Sequence, residues 1–120
     1  MIEVINLKDK FSQIHEHWSP RIAAELNDSY VKLAKLQGEF VWHRHEEEEE
    51  LFLVVQGRLR ILLRDGELIL EPGELAVIPK NVEHKPVAEE EVQVLLIEPK
   101  STRNTGNLEN ERTKPAEWLP

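Results

Sequence analysis

The sequence predicts an all-β domain, an antiparallel sandwich or barrel, on three observations. In RLRILLRDG, residues 58–66, Leu59, Ile61 and Leu63 alternate with Arg58, Arg60 and Arg64, so one face packs a core while the other meets water. In ELFLVVQG, residues 50–57, both parities are apolar, which describes a strand covered on both faces. Further short runs at 67–70, 75–79, 83–87 and 92–98 are each bounded by Pro, Gly, Asn or charge, and no long amphipathic helix separates them.

Taken in order, residues 1–20 form a leader. Phe11 and Ile14 fall three apart, which predicts a short helix over 8–14 with Asn6 or Asp9 as its cap. Residues 21–26 alternate Ile22, Ala24 and Leu26 before Asn27-Asp28, and we read a strand and hairpin there. The competing reading is a helix with Ser19 as N-cap and Pro20 at its first position. The barrel body spans 21–98, with a hairpin turn at Asp65-Gly66. From 99 to 120 the chain is a tail rich in Lys, Arg, Asn, Thr and Glu; residues 104–107 read as a turn that could cap the mouth of a cavity.

Composition narrows the function classes. The 120 residues suit one domain. There are no cysteines, which removes disulfides, thiolate metal sites and cysteine nucleophiles. With 23 acidic against 15 basic side chains the net charge is −8, and no basic stripe is present, so nucleic acid is not expected as a partner. Neither a signal-peptide pattern nor a membrane-length apolar stretch is visible, so no membrane association and a cytoplasmic location are expected. Because the strand at 50–57 is apolar on both faces, either the leader or a second subunit must cover it, and a homodimer is expected.

His43 and His45 are one residue apart, so on a strand both imidazoles project from one face toward a common ion. An acidic turn follows, and the next strand begins at Glu50, on the parity of Phe52 and Val54; a hairpin would bring that carboxylate back alongside the imidazoles. His84 shares a face with Val82 after the turn Pro79-Lys80-Asn81. His15 and His17 repeat the same spacing in a polar leader without an acidic partner and are read as surface residues. Trp42 alternates away from the histidines and is expected to pack against the leader or a second subunit.

These residues carry a resemblance. The stretch from Gly38 to Gly57 resembles the first cupin motif, in which a Gly precedes His-x-His, a Glu follows after three or four residues, and a second Gly ends the strand after six more. That last spacing selects Glu50 from the five glutamates at 46–50. Gly73 to His84 resembles the second motif: Gly, five residues, Pro-x-Gly, two residues, His. Gly38 comes one residue early, Asn81 replaces the Gly after Pro79, and Ala88 stands where the pattern ends in Asn; Asn81 tolerates the positive φ such a turn needs. The resemblance implies a cupin double-stranded β-helix, a jelly-roll barrel. It implies one divalent transition metal (Fe, Mn, Ni, Cu or Zn) on His43, His45, Glu50 and His84, with Val41, Phe52, Val54, Leu59 and Val82 lining the cavity and Glu83, Lys85 and Arg60 near its rim. Donors of this kind, without thiolates, suit any of these ions. Small cupins resemble dioxygenases, sugar isomerases and decarboxylases, so an enzyme acting on a small molecule is the first expectation, and a ligand-binding or sensing protein without turnover the second.

Overall fold

The computed structural model describes residues 2–120. Asn6 caps the first element: its side-chain oxygen accepts the Asp9 N–H at 3.0 Å, and α1 runs Leu7–Phe11. This helix is shorter than the expected 8–14. The chain leaves it in a turn, with the Ile14 N–H on the Phe11 carbonyl, and both side chains then enter one apolar cluster with Leu33 and Leu119. Eight strands follow: β1 Arg21–Leu26, β2 Ser29–Glu39, β3 Glu50–Gln56, β4 Leu59–Leu63, β5 Gly66–Leu70, β6 Leu75–Ile78, β7 His84–Pro99 and β8 Glu117–Trp118.

The strand-and-hairpin reading of residues 21–28 holds. Leu26 faces Ser29 across a two-residue turn in which Asn27 takes φ 53°, a conformation Asn tolerates better than most side chains. In the β4–β5 hairpin Leu63 pairs with Gly66, so the turn residues are Arg64-Asp65 and not Asp65-Gly66. The separate runs expected at 83–87 and 92–98 are one strand, β7, because both ends stay paired with β2. The tail is not irregular throughout: β8 pairs in parallel with β1, and Leu119 donates its N–H to the Ile22 carbonyl. Trp118 is half-exposed, its ring edge-on to Tyr30.

β7 organises the sheet. One of its edges is lined by β2 over nearly its whole length; the other is shared between β4, which pairs with residues 84–87, and β3, which pairs with residues 93–97. The β3–β6 and β4–β5 pairs therefore diverge from a common strand and enclose the main core, which includes Ala34, Leu36, Phe52, Val54, Leu59, Ile61, Val92, Val94 and Leu96. On the outside, the leader cluster packs against Val55 and Leu95. The leader thus covers one end of β3's outer face, while Leu51 and Leu53 stay half-buried beside the exposed Leu75 and Val77 of β6.

The divergence demands a sharp bend between Ala88 and Val92. Across from it the register shifts, since Leu36 faces Val92 and Gly38 faces Ala88, so that Gln37 alone of β2 spans residues 89–91 of β7, with Gly38 at φ 87°. On the other side Gly57, also at φ 87°, lets the end of β3 approach the bend so closely that a Cβ would lie 2.8 Å from the Glu91 carbonyl oxygen. Gly57→Ala therefore combines backbone strain with a main-chain clash, and we expect it to lower the urea-unfolding free energy by more than about 1 kcal/mol. An unchanged midpoint and slope would show that the bend does not need this glycine.

Candidate metal centre

Residues 40–49 leave β2 and cross toward the interior without forming a strand. Their backbone groups are satisfied by three different segments instead of one ladder. The Phe40 N–H donates to the Pro86 carbonyl, and His43 and His84 exchange N–H···O=C bonds of 3.1 and 2.9 Å. The His45 carbonyl accepts the Asn81 N–H at 2.9 Å. The Arg44 carbonyl accepts the Asn107 N–H while Asn107 Oδ1 accepts the Arg44 N–H. The expectation that His43 and His45 share a face because they lie on one strand is corrected: only His43 forms a bridge, to His84. Nor does a hairpin return Glu50 to the imidazoles, since β3 pairs with β6 and β7. The four side chains meet because the barrel closes around them.

They do meet. One donor atom from each of His43, His45, Glu50 and His84 lies within 4.8 Å of every other, and the four residues are 0–5% exposed. Glu50 Oε1 is 3.4 Å from both His45 Nε2 and His84 Nε2. An ion at ~2.0–2.2 Å from its donors spaces them roughly 3 Å apart at right angles and about 4.3 Å apart when opposite, so modest shifts would close this set on one ion. Of the five consecutive glutamates only Glu50 is buried; Glu48 instead accepts from Ser101 Oγ.

Two of the imidazoles are locked in orientation. His43 Nδ1 donates to the Val41 carbonyl and His84 Nδ1 to the Val82 carbonyl, both at 2.9 Å. A carbonyl can only accept, so each Nδ1 carries a proton, and in the neutral ring the lone pair is then on Nε2. The buried atoms left without a hydrogen-bond partner include His84 Nε2, Glu50 Oε1 and both ring nitrogens of His45. Leaving such atoms unpaired costs about 1–3 kcal/mol each, and a divalent cation is the partner this donor set suits. Imidazole and carboxylate without thiolate accept Fe, Mn, Ni, Cu or Zn alike.

Electrostatics agree with a cation-receiving site. Burial, reinforced by His84, pushes the His43 imidazole down from its usual 6.5 to about 4, so it is neutral and able to ligate at neutral pH. Burial opposes ionisation of Glu50, yet its neighbours Glu98, His45 and His84 hold its carboxyl well below the usual range. Glu98 is the counterpart: burial first, then the Glu50 charge, hold its carboxyl well above that range, against the pull of Lys32.

The cavity above these groups is walled by Ala34, Leu36, Phe52, Val94 and Leu96, and by Trp18 stacked on Phe40 at 4.8 Å. Among the five residues expected to line it, Phe52 does. Val54 and Leu59 fill the core itself, and Val41 and Val82 pack against that core. The expected rim residues are instead tied into surface ion pairs, Arg60 to Glu67 and Glu89, Glu83 to Arg64, and Lys85 to Glu39. Trp42 lies beneath the Arg64 guanidinium, whose carbon is 3.8 Å from its ring centroid. His15 and His17 are exposed, as expected, although His17 does have an acidic partner, Glu91, at 2.7 Å. Asn104 reaches the cavity wall, so the turn at 104–107 does border the mouth.

Sequence reasoning missed Trp18, Lys32 and Glu98. Glu98 continues the inward parity of Val92, Val94 and Leu96, and Lys32 that of Ala34 and Leu36, and this parity was the signal available.

The depressed His43 pKa has a sign that can be tested. Its folded value lies below the unfolded value of 6.5, so its contribution, of order 3 kcal/mol, is complete above pH 6.5 and is lost as pH falls toward 4. Glu98, whose carboxyl the fold holds above its usual range, works in the opposite sense, its contribution being lost as pH rises above the unfolded value. The site-specific measurement is therefore the NMR titration of the His43 ring in chelator-treated protein. We expect a midpoint near 4; one above 6 would refute the buried neutral imidazole.

Comparison with known proteins places this geometry in a family. Residues 29–98, more than half of the chain, match the family model described as a cupin domain. The chain is 34% identical over 86 residues to the uncharacterized protein YdbB of Bacillus subtilis strain 168, covering 71% of this chain and 76% of that one. A cupin-2 domain containing protein from Shewanella frigidimarina is 54% identical with a TM-score of 0.79, over 80% of this chain and 94% of the other. Protein NMB1881 from Neisseria meningitidis is 35% identical with a TM-score of 0.74, over 81% and 99%. Motif spacing, register and these likenesses agree: the chain belongs to the cupin family.

Proposed function

We propose that the chain holds one divalent transition metal on His43, His45, Glu50 and His84 and acts as an enzyme, of the isomerase or dioxygenase type, on a small molecule in the cavity. One observation carries this reading: four buried donors, three imidazoles and a carboxylate, lie within 4.8 Å of one another, and most of those atoms have no other partner. Once bound, such an ion supplies Lewis-acid polarisation of a substrate oxygen and, for redox-active metals, a route for electrons.

The chain's own residues would do the rest. The carbonyls of Val41 and Val82 hold the His43 and His84 rings with Nε2 toward the site. Trp18, Phe40, Phe52 and Leu96 wall it with apolar surface, which strengthens the electrostatic interactions within. The cavity is narrow, about 40 Å³, room for roughly three water molecules. A compact molecule presenting two neighbouring oxygens fits it better than a long or highly charged one. A second reading, ligand holding without turnover, is favoured by the wall: apart from His43 and Glu50, only Glu98 and Asn104 among its lining residues are polar. Dioxygen-uptake and isomerase assays across the Fe, Mn, Ni, Cu and Zn forms separate the two, since binding without turnover in every form would select the second.

Metal analysis tests the reading directly. Purified protein should carry about one transition metal per chain, and His84→Ala, which removes a ligand itself, should lose more than the roughly 10–100-fold in affinity typical of changes to supporting residues. Equal metal content in the two proteins would sink it.

On the same footing a second copy of the chain covers the outer face of β3 and β6, where Leu75 is 56% and Val77 49% exposed beside half-buried Leu51 and Leu53. β6 pairs only with β3, so this apolar face adjoins an open edge strand. Light scattering should give the mass of two chains, and Val77→Glu should return it to one. A single-chain mass for the unsubstituted protein at high concentration would remove the dimer. We place the protein in the cytoplasm, which suits a cysteine-free chain.

A further inference from the structure

Beside the four ligands lies a buried pair that ligation does not account for. Lys32 is 2% and Glu98 2% exposed, and Lys32 Nζ is 2.7 Å from Glu98 Oε1. Both point inward from neighbouring strands: Lys32 faces Leu96, and Glu98 faces Tyr30, across the β2–β7 ladder. On β7's other edge Leu51 faces Ile97, which puts the adjoining Glu50 and Glu98 at the same end of that ladder, and both line one cavity. The order across the sheet is therefore Lys32, Glu98, Glu50, and then His45 and His84. Glu98 Oε2 has no hydrogen-bond partner of its own, and Glu98 lines the cavity together with Glu50.

Stability does not explain such a pair. Replacing a buried ion pair with apolar side chains of similar size is often neutral or stabilising, because desolvation offsets most of the attraction. The inward positions next in line on these strands, Ala34 and Leu36 on β2, Val94 and Leu96 on β7, are all apolar. A lysine and a second carboxyl set among them, next to a ligand, need another reason.

We propose that Glu98, anchored by Lys32, is the positioning residue for Glu50: it fixes the orientation of the one carboxylate ligand and so the strength and symmetry of the metal centre. This rests on the metal reading above. Two of the three histidine rings are steered by backbone carbonyls, His43 and His84 through Nδ1, while for His45 only the main chain is tied, by the Asn81 N–H. Glu50 Oε1 has no hydrogen-bond partner; its neighbours at 3.4 Å are the fellow ligands His45 and His84, so among groups that do not ligate it is the Glu98 carboxyl, lining the same cavity, that can set it. Outer groups of this kind typically govern about 10–100-fold in metal affinity.

Co(II) is the probe, because its visible absorption reports ligand geometry. Wild type and His84→Ala come first: if wild type binds no Co(II), or binds it no better than His84→Ala, the metal reading itself fails. Given Co(II) binding by wild type, the Lys32→Met/Glu98→Leu double variant removes both charges together and leaves no lone buried ion. We expect it to bind Co(II) about 10–100-fold more weakly with a shifted spectrum. Glu98→Gln, whose amide can donate to Glu50 and accept from Lys32, should restore binding to within a few-fold of wild type. Wild-type affinity and spectrum in the double variant would overturn the proposal while leaving the metal site standing. Should that variant not fold, Lys32→Met alone decides. It keeps every ligand and both carboxyls but frees Glu98, so a shifted Co(II) spectrum supports the proposal and an unshifted one overturns it.

Discussion

The constraint on which this molecule depends is the curl of β7. His84 and Glu98 are fourteen residues apart on one strand, which if straight would separate them by about 46 Å. Yet His84 Nε2 is 3.4 Å from the Glu50 carboxylate, and Glu98 lines the cavity together with that same group. Both ends of one strand return to one side chain. The bend that permits this falls at residues 89–91, three exposed glutamates, whose charges are best kept apart in water. The register shift at Gly38 and the close approach of Gly57 accommodate it on either side. The two glycines of the first motif are thus explained by the path of the strand that carries the ligand of the second.

Given that curl, the site is assembled by backbone before any side chain is considered. The reciprocal His43–His84 pair and the Asn81–His45 bond zip the two motif segments together, and Asn81 takes φ 62° to make the turn. The tail then closes on the far side. Gly106 packs so tightly on the His43-Arg44 segment that a Cβ would overlap the Arg44 carbonyl, while Thr105 beside it is fully buried. Side-chain chemistry follows. Because Val41 and Val82 take the Nδ1 protons, the lone pairs have one direction left, which is how outer hydrogen bonds orient ligands generally.

Much of this was legible in the sequence, and what was not has a physical cause. Period-two alternation identified β4, β5 and the inward parity of Glu50, since a strand with one buried face leaves that signal in side-chain type. Asn27-Asp28 identified a turn because its backbone chemistry is local. The segment at 40–49 misled, since imidazoles can reach a common point without a ladder when three separate segments supply the hydrogen bonds, and none of those partners is near in sequence. β7 looked like two strands because its exposed bend has the composition of a loop. Lys32 and Glu98 are residue types seldom buried, so parity alone did not single them out; only the register that brings them within 2.7 Å makes their burial tolerable. Trp18 escaped because its place against Phe40 follows from its own φ of 59° and a bond from its indole to the Gln37 carbonyl, not from any periodicity.

The arrangement also ties ligation to the packing around it. The unpartnered donor atoms lie at the junction of the 40–49 segment, the turn before β7 and the tail, three pieces joined by a handful of backbone bonds. Each buried atom without a partner weakens that junction, and a cation satisfying several of them at once would favour the folded arrangement by its binding free energy. The same ion would be drawn toward a carboxylate that Lys32 and Glu98 already hold in place, so less ordering remains to be done when it binds. Preorganisation of the anion and satisfaction of the orphaned imidazoles are therefore one physical requirement met from opposite sides of the barrel, the histidines by the bonds that close it and the glutamate by a charge pair inside it.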